Sequence, residues 1–160
     1  MTTRQPAHDH DDAHGAHDDV DRYFAERGVA DHLRARGLRG MIDDWARIAA
    51  AAERYDLTLD DWINDLDLRD IIAGALTVAS PSEQRRVRAT LARADDHFRA
   101  ATVECARPFV GAGAGESVQP PDPQDAWWYR RAPAHPGAMM RDDLTAAGVR
   151  TPTDTTKRHR

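Results

Sequence analysis

Six aspartates lie between Asp56 and Asp70, at positions 56, 60, 61, 65, 67 and 70. Carboxylates at that density can hold Mg²⁺ or Ca²⁺, or move protons. The calcium-loop pattern fails in detail: counting from Asp65, the glycine position is Asp70 and the bidentate-glutamate position is Leu76. No Glu-x-x-His pair occurs in the chain, so the usual di-iron bundle signature is missing. Helix starts account for the spacing more simply. Thr58 is placed to cap a helix with Asp60 and Asp61 in its first turn, and Asp67 is placed to cap a second one with Asp70 behind it. The cluster is expected to be caps plus a solvated acidic face.

Four of the eight histidines, His8, His10, His14 and His17, sit among Asp9, Asp11 and Asp12. These side chains can ligate Zn²⁺, Ni²⁺ or Cu²⁺, but a specific site needs ligands held by a folded frame. Residues 1–19 contain no large apolar residue after Met1, so the stretch reads as a disordered, solubilising tail with loose metal affinity. No resident cofactor is expected. Cys105 is the only cysteine and falls on an apolar helical seam, which suits a buried thiol better than a nucleophile. His97 lies one step off that seam and reads as a surface residue. No Gly-x-Ser-x-Gly or phosphate-binding loop occurs, and GAGAG at 111–115 lacks a preceding strand.

Trp127, Trp128, Tyr129, Arg130 and Arg131 form the least ordinary run. Two of the four tryptophans are adjacent there, within a region rich in Pro and Gly. An extended chain would send Trp127 and Tyr129 to one side and Trp128 and Arg130 to the other. One face would complete the core and the other would be a partner-binding anchor, since Trp, Tyr and Arg dominate interface hot spots.

The elements that must position these residues are helical. Ile42, Trp45, Ile48, Ala49, Ala52 and Tyr55 recur at three- and four-residue steps, predicting a helix from about Met41 to Tyr55. From Thr58 the apolar phase shifts near Leu66–Leu68, predicting a kink or break around Asp65–Asp67 and a second piece to about Ala79. Ser80-Pro81-Ser82-Glu83 is a capping-box start with proline at the first helical position. It opens a long helix that carries Val87, Leu91, Ala94, Phe98, Ala101, Thr102 and Cys105 inward and runs to about Arg107 before Pro108. Asp95 and Arg99 stand in the order of a surface i,i+4 pair. Two weaker helical pieces precede Met41, and a last short helix ends at Gly148.

Leu, Ile, Val and Phe number 25 of 160 residues, so the folded part is shorter than the chain or borrows apolar surface from a partner. The expected architecture is all-α: a small bundle of three to five helices over residues 20–110, a Gly/Pro linker at 111–126, an aromatic arm and short helix at 127–149 docked on the bundle, and a basic tail at 150–160. The net charge of −5 resides in residues 1–21, and the remaining acids and bases cancel. That balance argues against a nucleic-acid binder. The absence of an apolar h-region or a span-length apolar run points to a cytoplasmic protein away from membranes. Arginine outnumbers lysine 21 to 1, which reads as the bias of a GC-rich bacterial genome. The expected function is a non-enzymatic interaction protein that binds another protein or a second copy of itself: an accessory subunit, a regulator, or an antitoxin- or immunity-like partner. The alternatives are metal handling through the histidine tract, or a small subunit of a multi-subunit enzyme using the aspartate cluster.

Overall fold

Periodic apolar stripes of the kind found in residues 41–105 can only be buried against one another, and the computed structural model packs them as an all-α bundle. It describes residues 11–109 and 126–149, with side chains described from Asp19 onward. The elements are α1 (Asp11–Glu26), α2 (Asp31–Arg34), α3 (Gly37–Ala51) with a 3-10 turn at Ala52–Arg54, α4 (Leu59–Val78), α5 (Pro81–Ala101), β1 (Thr102–Glu104), a 3-10 turn at Trp127–Arg130, β2 (Arg131–Pro133) and α6 (Ala138–Ala146). α3 packs most extensively on α5, and α1 and α3 both pack on α4.

The helix starts follow their caps. Thr58 Oγ1 accepts from the Asp61 amide, and Asp61 reaches back to the Thr58 amide at 3.1 Å, closing a reciprocal box. Ser80 accepts from the Glu83 amide at 3.2 Å, with Pro81 opening α5. α6 stops where Gly148 (φ +67°) turns the chain, so that Val149 N–H reaches Leu144 O and Gly148 N–H reaches Thr145 O.

The expected break at Asp65–Asp67 is not there: α4 is continuous from Leu59 to Val78. Trp62, Leu66, Arg69, Ile72 and Ala75 form one buried stripe, while Ile63, Leu68, Ile71 and Leu76 are half-buried around it. The phase shift records a helix packed on more than one side, not a second helix start. Asp67 caps nothing and instead accepts from the Tyr129 hydroxyl.

α5 ends at Ala101 rather than near Arg107. Thr102 and Val103 are β-branched and leave the helix to pair antiparallel with Pro133 and Ala132. The freed carbonyls of Arg99 and Thr102 are taken by the Arg131 guanidinium, each at 2.8 Å. At the other end of the chain, the helical backbone begins at Asp11, inside the stretch expected to be a tail. A helix that docks Val20 and Phe24 in the core extends upstream across Gly15, with no proline in its way.

The core centres on aromatic rings from three helices and the connection between α3 and α4. Trp62 and Phe98 stack with centroids 5.5 Å apart and planes at 17°. Trp45 meets Phe98 at 4.6 Å, and Tyr55 meets Trp62 edge-on at 4.8 Å. Trp45, Trp62 and Phe98 are fully buried, so a few large rings supply the area that the short supply of aliphatic residues does not.

Candidate functional site

The aspartate cluster is dispersed into local roles. Asp56 and Asp60 are exposed. Asp61 closes the cap, and its hydrogen bonds from Thr58 hold its carboxyl below the usual carboxylate range. Asp65 accepts from the Tyr55 hydroxyl at 2.8 Å; burial raises its pKa in spite of that bond. Asp67 accepts from the Tyr129 hydroxyl at 2.5 Å, and Asp70 pairs with Arg27 at 2.9 Å. Burial together with the neighbouring carboxylate pushes both tyrosines well above their ordinary range. Among the described residues no group of three or more His, Cys, Asp or Glu side chains converges as a metal site would require. His8 and His10 lie outside the described residues, and His14 and His17 fall in the first turns of α1.

The aromatic run is not extended along its whole length. Tyr129 N–H bonds Ala126 O at 3.2 Å, and Trp127–Arg130 form a 3-10 turn before the chain straightens into β2. The turn lets two neighbouring rings, Trp128 and Tyr129, both point inward, where an extended chain would have sent one of them outward. Trp128 is 2% exposed and Tyr129 7%. Of the expected anchor residues Trp127, Trp128, Tyr129, Arg130 and Arg131, the two most buried, Trp128 and Tyr129, belong to the core.

The remaining three members of the run are half-buried and tied to α5 and the segment that follows it. Trp127 lies under the Arg99 guanidinium, 3.7 Å from ring to carbon. Arg131 Nε donates to Thr102 Oγ1 at 2.7 Å, its carbonyl accepts from Trp62 Nε1 at 3.1 Å, and burial lowers its pKa. Arg130 Nη1 reaches the Ala106 carbonyl at 3.4 Å. The segment splices α4, α5 and the two-stranded sheet together.

The sequence reading missed a buried polar centre between α4 and α5. Asp95 does not pair with Arg99. It turns inward and accepts two hydrogen bonds from Arg69 and one from Trp45 Nε1, all at 2.9 Å. Arg99 instead reaches Asp96 at 3.4 Å. The Arg69 guanidinium also lies 4.5 Å from the Trp128 ring. One sequence signal did exist: each residue interrupts an otherwise apolar stripe, Arg69 between Leu66 and Ile72 and Asp95 between Leu91 and Phe98. Two opposite charges on two core faces are expected to find each other. Cys105 is buried, as expected, but it follows β1 and does not sit on the helical seam; desolvation raises its thiol pKa. His97 is exposed.

The outer face of α5 carries a group of exposed arginines. Arg22, Arg27, Arg34, Arg36, Arg47 and Arg69 each pair with an aspartate. Arg85, Arg86, Arg88 and Arg93 are exposed, and none has an acidic side chain within ion-pair distance among the described residues. Arg86 and Arg93 make only long contacts, both 3.5 Å, to the Ser82 carbonyl and the Thr90 hydroxyl.

No protein-family model, curated protein or solved structure matches this chain. Among the described residues no helix is long and apolar enough to cross a membrane.

Proposed function

We propose that this chain is a non-enzymatic helical interaction protein that acts by binding another protein, as an accessory subunit, a regulator, or an antitoxin- or immunity-like partner. The observation that carries the reading is the row of arginines on α5 that have no acidic partner among the described residues, on a molecule that pairs most other arginines of its first four helices with aspartates. Surface arginines are strongly represented at protein interfaces, where their planar fork engages carboxylates. With Trp128 and Tyr129 buried, the exposed arginines of α5 are the surface on which the reading rests. Affinity capture with the tagged full chain in its native cells, followed by mass spectrometry, tests the reading. A partner enriched in stoichiometric amount is expected; the absence of any enriched protein would reject it.

A further inference from the structure

We infer that the outer face of α5 docks an acidic α-helix of the partner protein; this rests on the interaction reading above. At 100° per residue, Ala89 and Ala92 lie along the midline of the exposed face, with Arg85 one turn before them. Arg88 falls on one flank, and Arg86 and Arg93 fall on the other. Val87, Leu91, Ala94 and Phe98 occupy the opposite side and are buried, so the orientation of the face is set by the core. Ala89 and Ala92 are exposed. They leave the midline low between Arg85 and Asp96, which lie on it at either end, while long arginine side chains rise on both sides. A second helix fits along such a floor, with carboxylates on each of its flanks within reach of the guanidinium forks.

The charge on the face is local and bounded. Arg85 to Arg93 span about 12 Å of helix axis. Glu83 precedes them, and exposed Asp96 follows on the same side. A short carboxylate cluster matches that extent. A nucleic-acid duplex carries a phosphate about every 1.7 Å along its axis without interruption. Outside residues 1–21 the acids and bases cancel, so the face has no wider basic field to hold such a polyanion beyond the immediate contact. The geometry and the charge together favour an acidic protein helix over nucleic acid.

The test measures fluorescence anisotropy of a labelled, glutamate-rich helical peptide titrated with the full chain, with a labelled DNA duplex run in parallel. The peptide is expected to bind, to weaken as salt rises, and to bind more tightly than the duplex. Arg86→Glu with Arg93→Glu, and separately Arg85→Glu with Arg88→Glu, are each expected to weaken peptide binding at least about tenfold. Helical circular dichroism should be retained, because all four side chains are exposed. Reversal of two exposed arginines elsewhere, Arg39→Glu with Arg54→Glu, controls for net charge and is expected to have little effect. No peptide binding, equal loss in the control, or tighter binding of the duplex would each overturn the inference. Native capture separates the two levels. A partner retained by the α5 charge-reversed chain sinks this face and leaves the interaction reading standing, whereas no partner with the wild-type chain removes both.

Discussion

Arg69 and Asp95 face each other across the α4–α5 interface in a two-pronged pair, Nε to Oδ1 and Nη2 to Oδ2, each 2.9 Å. Their side chains are only 9% and 11% exposed. Trp45 Nε1 supplies a third donor to the same carboxylate from α3. The pair therefore sets the mutual registration of three helices. A buried pair is costly to break from one side because the other charge is left without a counter-ion. Asp95→Ala should destabilise the fold by about 3–5 kcal/mol in chemical denaturation. Replacing both partners, Arg69→Met with Asp95→Leu, should cost clearly less than the single change. Equal losses for the single and double variants would show that the pair carries no such coupling.

Tyr23 and Gly74 make the close approach between α1 and α4. A Cβ at Gly74 would run into the Tyr23 hydroxyl and ring. Gly74→Ala should therefore lower stability by about 1–3 kcal/mol, even though alanine is the better helix former. Adding Tyr23→Ala should recover part of the clash component. Thermal unfolding of the two single variants and the double variant checks this; an additive double variant would refute the contact.

Asp61 and Asp65 should shape the acid limb of stability in opposite directions. The Asp61 pKa is lowered in the fold by its Thr58 hydrogen bonds, so its contribution is present above the ordinary carboxylate value of 3.8 and is lost as pH falls. The Asp65 pKa is raised by burial, so the folded state binds its proton more readily than the unfolded chain does. That contribution favours folding at low pH and fades as pH rises from 3.8 through the higher folded value. Denaturant midpoints between about pH 3 and pH 7 check both signs. Relative to wild type, Asp65→Asn should improve as pH rises through this window, while the deficit of Asp61→Asn should grow. Parallel pH curves for both variants and wild type would contradict the assignment.

The local signals that survived intact in the structure are those whose physics closes within one turn. Thr58 and Ser80 start α4 and α5 because a side-chain oxygen three residues from an orphan amide suffices to cap it. Gly148 ends α6 because it can adopt a positive φ. The inward seam of α5 from Val87 to Phe98 was legible from its period alone, and so was its exposed arginine face.

Where partners lie far apart in sequence, the local pattern misled. The phase shift at Leu66–Leu68 resembles a break, yet α4 stays whole because other elements cover its second apolar face. Thr102 leaves the helix well before Pro108 because a strand 29 residues away supplies Arg131 to its hydroxyl. Trp128 and Tyr129 looked like a recognition anchor, and a 3-10 turn places both in the core. Asp95 had Arg99 as an obvious neighbour on its own helix and chose Arg69, since a carboxylate on a buried stripe is stabilised only by a charge that shares its burial. The sequence by itself determined the helical periods, the caps and the basic outer face of α5. Tertiary structure alone decided which helix continues, which partner each inward charge takes and which aromatic rings are spent on the core, because those outcomes depend on what lies across the interface.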